Sequence, residues 1–305
     1  MKRLYIIGNG FDRAHGLPTS YSDFARYLSQ KQKRAYQRIG LLYNQSDECW
    51  LWKDYEANLC NIDIEGCVEK RIDYWNTLEQ HDIKRLFDSL YEDLHNLFHK
   101  WINTINVDGC CKIMNLSPKD YYITFNYTNV LEKVYKIPRD HICYIHGDTA
   151  NQPYLRPIIG HGDGFKQVET RVLLHKEGVK RIVDVHGKPE WSKSGEKYAD
   201  FIIKCFQELI GSLKKLPNNN LSYYKFFFEE LEKNNFTEVY ILGHSLAAVD
   251  IPYFRFFLSM SSVRFAKWFL SYREDNKGKM EKDNLRALFC RISELRRFPT
   301  MITIG

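Results

Sequence analysis

Four stretches of this chain carry side chains that could do chemistry, and each follows a run of apolar residues. Asn9 and Asp12 follow Ile6 and Ile7 in "YIIGNGFD"; Asn126 closes "YYITFN"; His146 follows "CYI"; His244 and Ser245 follow "VYILG". An amide, a carboxylate and an imidazole are groups that orient a hydroxyl, balance a developing cation and move a proton. Gly8 and Gly10 flank Asn9, with Phe11 next, and would let the backbone approach a phosphate or ribose closely. The helix expected to follow would offer its positive end.

Each motif also has a plainer reading. The Gly8–Gly10 spacing fits a structural turn, Asn126 fits an Asx-turn, and a lone histidine such as His146 is more often held by the fold than used. Three polar strand ends together favour a site. A standard dinucleotide fingerprint needs a third glycine three residues after the second. Here the next is Gly16, six residues on, and no G-K-[ST] marks a P-loop. "GHSLA" imitates a nucleophile elbow. Ala247 stands at its closing glycine, however, and His244 is the last histidine, whereas that fold places its histidine after the serine. His95 and His99 stand four apart without a third ligand, and Asn96 replaces the glutamate of a zincin, so they read as a solvated helix face. None of the eight cysteines forms a C-x-x-C pair. Free, mostly buried thiols and no metal are expected.

For those polar groups to meet, the runs before them must be neighbouring strands. "RLYIIG" (3–8), "YYITFN" (121–126), "ICYIHG" (142–147) and "EVYILG" (238–243) are short, β-branched or aromatic, and stopped by Gly or Asn. They lack clean alternation, as expected of parallel strands covered on both faces. Ser20 and Asp23 give a helix-start signal, with Phe24 and Leu28 four apart behind it. Residues from about 49 to 107 read as helices, the last carrying Leu86, Leu90, Leu94, Leu97, Phe98 and Trp101 at helical spacing. "FIIKCFQELIGSLKKL" and "SYYKFFFEELEKNN" also read as helices. "HGKPEWSKSGEK" reads as a loop, "KDNLRALFCRISELRRF" as a basic amphipathic helix and "TMITIG" as a terminal strand. The expected fold class is α/β, a Rossmann-like parallel sheet. Its core would be residues 1–28 and 119–305, and 29–118 would be a helical insertion.

The 305 residues are 44 % apolar and 15 % aromatic, enough for a sizeable core. A net charge of +6 from 44 basic and 38 acidic residues is too mild for a dedicated nucleic-acid binder. The first apolar run is shorter than the about 7–15 residues of a secretory segment. No run approaches the ~20 of a membrane helix. A cytoplasmic protein, with neither membrane nor nucleic acid as partner, is expected.

Together these motifs resemble the AbiH family, named for abortive infection of bacteria by phage. The residues that carry the likeness are "IIGNGFDRAHGLPTSYSDF", "WKDYEANL", "ITFNYTNVLEKVY", "YIHGD" and "LGHSLAAVDIPYF", in the family's order. A more distant likeness is to sirtuins and sirtuin-like NAD hydrolases. "GNGFDRAHGLP" is similar to their G-A-G-x-S…G-I-P loop, "TFNYT" to T-Q-N-I-D, His146-Gly147 to the catalytic histidine and its glycine, and Gly243-His244-Ser245-Leu246 to G-T-S-L. This chain departs at Asn9 for Ala, Asp12 for Ser and Thr128 for Asp, and it lacks the four zinc cysteines.

The resemblance implies a sirtuin-like core and an antiphage effector that cleaves the nicotinamide–ribose bond of NAD, its substrate. Asn126, His146 and Asp12 would be catalytic. Gly8, Asn9, Gly10, Phe11, Gly243, His244 and Ser245 would bind the nucleotide, with Glu56 of "WKDYEANL" added from the helical insertion. A homo-oligomeric state, or the absence of a phage-derived trigger, would hold the activity off in healthy cells. The alternative is a nucleotide-binding sensor or scaffold without turnover.

Overall fold

A computed structural model describes residues 2–43, 51–52, 55–64, 67, 77–148, 159–160, 172–176, 179–183, 199–213, 221–271, 283 and 301–304. The chain forms two compact units. One comprises residues 1–20, 98–158 and 216–305, the other 21–97 and 159–215.

The first unit is built on a six-stranded sheet. Its strands are β1 (Arg3–Ile7), β2 (Tyr121–Thr124), β3 (Ile142–Tyr144), β6 (Glu238–Leu242), β7 (Lys267–Ser271) and β8 (Met301–Ile304). They pair in the order β3-β2-β1-β6-β7-β8, every pair parallel. Counted within the sheet this is the doubly wound order 3-2-1-4-5-6, whose direction of growth reverses between β1 and β6. The expected α/β parallel sheet is present, and "TMITIG" supplies its edge strand.

The burial explains why these runs are strands. β1, β2 and β3 are buried almost throughout, so neither face selects polar residues. Leu4, Ile6, Ile123, Val239 and Ile241 join one apolar cluster with Phe228, Tyr253, Phe254 and Phe257. Those four come from α8 (Lys225–Glu232) and α9 (Ile251–Ser259). Tyr5, Ile7, Tyr122 and Tyr144 join another with Phe11, Val130 and Leu131, from α1 (Asn9–Ala14) and α6 (Val130–Lys133). On this second face the register aligns Tyr122, Tyr5, Tyr240 and Phe269 across four strands. Their rings stack at 5.1, 5.2 and 4.7 Å, a cross-strand ladder that fixes register.

The second unit holds α2 (Tyr21–Lys31), α3 (Lys33–Tyr43), α4 (Tyr55–Asn58), most of α5 (Gln80–Ile102), the hairpin β4 (Val172–Lys176) with β5 (Val179–Val183), and α7 (Ala199–Ser212). Trp52 stacks between Tyr36 and Tyr55 at 6.0 and 4.7 Å. Phe87 of α5 meets Phe206 of α7 at 4.6 Å. Residues 159–215 thus join the helices that follow β1, a partnership that local patterning does not signal. The expected basic helix near the C-terminus and the loop "HGKPEWSKSGEK" lie outside the described residues, Asp283 excepted. Among the described residues, no helix is long and apolar enough to cross a membrane.

Two glycine positions test the packing. At Gly243 φ is +60°, and a Cβ there would stand 2.3 Å from the Phe11 nitrogen. Gly16 has φ +76° with nothing within 4 Å. Gly16→Ala is expected to cost the left-handed strain alone, about 1–2 kcal/mol. Gly243→Ala adds a backbone collision and should cost clearly more. Urea unfolding of the two variants measures the difference.

Candidate active site

The sheet register brings the expected site residues to one edge. Ile7, Thr124 and Tyr144 are aligned on β1, β2 and β3, and Leu242 of β6 aligns with Ile7. The chain past these residues carries Asp12, Asn126, His146 and His244, all at the carboxyl ends of adjacent strands. That edge is where open α/β sheets bind ligands.

Asp12 is the centre of one cluster. It is 2 % exposed, and its carboxylate accepts a 2.8 Å hydrogen bond from Asn126 Nδ2 and a 2.7 Å bond from Thr128 Oγ1. Thr124 Oγ1 accepts from the Asn126 backbone N–H and fixes the turn past β2. Burial pushes the Asp12 carboxyl from 3.8 up to about 6, against the downward pull of Thr128 and Asn126. Asn126 itself is 5 % exposed, and its Oδ1 is buried with no hydrogen-bond partner among the described residues. Such an atom carries a desolvation cost of about 1–3 kcal/mol until a ligand or water donates to it.

A second cluster was not foreseen. The Asp250 carboxylate stands between two imidazoles, Oδ1 at 3.5 Å from His146 Nε2 and Oδ2 at 3.5 Å from His244 Nε2. All three residues are buried. The Phe125 ring lies against both histidines, 5.1 Å from His146 and 4.3 Å from His244. Asp250 stands two residues before Pro252, a position whose local pattern favours a helix cap. Asp250 does occupy the N-cap of α9, but its side chain makes no capping bond.

The glycine loop serves the fold first. Gly8, Gly10 and Phe11 donate their amides to Leu242 O, Gly243 O and Gly8 O at 2.9, 2.7 and 3.0 Å. A Cβ on Gly8 would meet His244 Cα at 2.6 Å, and one on Gly10 would meet Gly243 Cα at 2.8 Å. The close approach these glycines permit is therefore backbone to backbone, and these three amides do not cradle a phosphate. Phe11 is buried against His15 and Tyr135. Asn9 is exposed and ties off a turn, accepting from Thr19 Oγ1 at 2.5 Å and donating to Thr19 O at 3.0 Å.

The remaining candidates separate. Ser245 is exposed past β6, and the positive φ, +54°, belongs to Leu246 rather than to the serine, unlike a strained nucleophile elbow. Glu56 is half-buried on α4 in the other unit. Asp148 of "YIHGD" pairs with Arg139 and anchors the turn past β3. His95 rests on the Tyr91 ring and His99 touches Asn103. Among the described residues no group of three or more His, Cys, Asp or Glu could hold a metal ion.

Residues 4–272 match the family described as bacteriophage abortive infection AbiH. The chain belongs to the AbiH family. Membership places it in abortive infection and covers both clusters, from Asp12 through Asp250. No curated protein and no solved structure matches this AbiH chain.

The raised pKa of Asp12 fixes a pH dependence of stability. Because the folded protein holds this proton more tightly than the unfolded chain, the contribution is full below 3.8 and lost as pH rises through about 6. The whole effect is on the order of a few kcal/mol. Asp12→Asn removes the titration, so its melting temperature relative to the parent should rise between pH 4 and 6. Parallel melting curves across that range check it.

Proposed function

We propose that this AbiH chain binds NAD and hydrolyses its nicotinamide–ribose bond. The reading rests on one observation: a buried amide at the carboxyl edge of a 3-2-1-4-5-6 sheet, its Nδ2 bound by Asp12 and its Oδ1 without a partner. That oxygen is suited to accept a hydrogen bond from a ribose hydroxyl and so to orient the sugar.

The chemistry needs no strong acid. Nicotinamide leaves with the electron pair of the C–N bond and becomes neutral, and the ribose carbon is left electron-poor. Asp12, ionised above about 6, balances that charge through the Asn126 amide it holds. Water adds to the ribose carbon, and His146 takes its proton.

A pairing of side chains supports the resemblance behind this reading. Sirtuins carry Ser and Asp where this chain carries Asp12 and Thr128. The two positions are hydrogen-bonded here at 2.7 Å, so the hydroxyl and the carboxylate stand together with their places exchanged relative to the sirtuin motif. With the amides of Gly8, Gly10 and Phe11 engaged, the pyrophosphate would draw on other donors, and the exposed Ser245 past β6 is one.

Incubation of the purified chain with NAD should release free nicotinamide. His146→Ala and Asn126→Ala are expected to lower kcat by about 10²–10⁴. Ser245→Ala, which loses a hydrogen bond to a ligand, should mainly raise KM by about tenfold. Tight NAD binding without nicotinamide would overturn hydrolysis and favour a nucleotide sensor. A Ser245→Ala protein as inactive as His146→Ala would point to a serine nucleophile.

A further inference from the structure

Asp12, Asn126 and Thr128 share one set of hydrogen bonds, and the mechanism above does not use its third member. Past β2 the chain places Asn126 and Thr128 two residues apart, the spacing that turns both side chains to one side of an extended segment. Both donate to Asp12, Asn126 Nδ2 to Oδ1 at 2.8 Å and Thr128 Oγ1 to Oδ2 at 2.7 Å. The partners are themselves held in place. The Asp12 backbone oxygen accepts from the His15 and Leu17 amides at 3.0 and 3.2 Å and pins the end of α1. The bond from the Asn126 backbone N–H to Thr124 Oγ1, at 3.0 Å, fixes Asn126 against the end of β2.

The sense of the Asn126 amide follows from this set. An ionised carboxylate only accepts, so the end of the amide that faces Asp12 is Nδ2 and the other end is Oδ1. Oδ1 is buried with no hydrogen-bond partner among the described residues. A ligand group that meets it must therefore donate. A hydroxyl or an N–H can do so, and a bare phosphate or carboxylate cannot. Protonation of Asp12 would undo the arrangement, since its O–H could donate to the amide oxygen and let the amide turn over. The bond from Thr128 opposes this. Burial favours the neutral acid, and of the two pulls toward the anion that of Thr128 exceeds that of Asn126. Among the described residues, the titratable group that faces Asp12 from another element is the Cys110 thiol. Its proton is held by burial first and by the Asp12 charge second.

We infer that Thr128 is a positioning residue of this site: its hydroxyl holds the far oxygen of Asp12, keeps the near oxygen an acceptor for the Asn126 amide, and so reserves the amide oxygen for a ligand group that donates a hydrogen bond. Thr128 acts through Asp12 and need not touch the ligand. A donating group is what the hydroxyls of a ribose supply. The catalytic part of the inference rests on the hydrolytic reading above; the sense of the amide and the proton affinity of Asp12 do not.

The test separates the two. The full chain is labelled with ¹³C at the aspartate carboxyls and ¹⁵N at the asparagine side chains, and Asp12 and Asn126 are assigned from Asp12→Asn and Asn126→Ala. Without any substrate, the Asn126 side-chain protons of the parent should shift with the same midpoint as the Asp12 carboxyl. Thr128→Val keeps the shape of the side chain and removes the donor. It should strengthen proton binding at Asp12 about tenfold or more, the usual worth of a hydrogen bond to an ionised group. Thr128→Ser restores the hydroxyl and should bring the titration back toward that of the parent. An Asp12 titration unmoved in Thr128→Val overturns the inference, and so do Asn126 protons that ignore the titration of Asp12. Should Thr128→Val fail to fold, Thr128→Cys, a weak donor of similar size, takes its place. With NAD, the acid limb of kcat should move to higher pH in Thr128→Val, by the same factor in proton concentration, and return in Thr128→Ser. A limb that stays in place while the spectra move overturns the catalytic part. If the parent releases no nicotinamide, the hydrolytic reading fails and the spectra still decide the role of Thr128.

Discussion

The contact on which the rest depends is a backbone-to-backbone approach at the point where the sheet reverses direction. Residues 8–11 lie against residues 243–244 so closely that a Cβ at Gly8, Gly10 or Gly243 would come within 2.8 Å or less of main chain. The Gly10 N–H to Gly243 O bond joins the two loops at 2.7 Å. Without that approach α1 could not start where it does, and Asp12 could not reach Asn126 and Thr128 of the neighbouring strand end. The same contact holds the start of the loop that carries His244 to Asp250.

From this contact two polar clusters are built in one unit, and they differ in kind. The Asp12 cluster is a satisfied carboxylate beside an unsatisfied amide oxygen. Its carboxyl is held neutral further up the pH scale than an exposed aspartate, because burial outweighs two hydrogen bonds. The Asp250 cluster pairs one carboxylate with two imidazoles in an aromatic surround of Phe125, Tyr253 and Phe254. One can balance positive charge, the other can accept a proton. Both stand at the ends of adjacent strands, and the hydrolysis proposed above would draw on both.

Much of this was legible in the sequence. Short β-branched and aromatic runs ending in Gly or Asn identify β1, β2, β3 and β6, because a strand buried on both faces must be apolar and must stop where the chain turns. Asp12, Asn126 and His146 could be singled out by the same logic, since a polar side chain directly after a buried strand sits at its carboxyl end. The order of motifs identified the AbiH family. The helices at 199–212 and 225–232 also follow from local pattern.

What only the tertiary structure decided are the partnerships across long separations. Asn126 and Thr128 meet Asp12 from 114 and 116 residues away, and that pairing depends on β2 lying beside β1 rather than on anything local. Asp250 stands at the N-cap of α9, two residues before Pro252, and nothing local marks its side chain as turning to two histidines that follow β3 and β6. Asn9 looked like a ligand group and closes a turn with Thr19. The glycines looked like a phosphate cradle, yet they make room for another loop. Residue type and spacing record what a segment needs locally, whereas the order of strands in the sheet sets which polar group meets which.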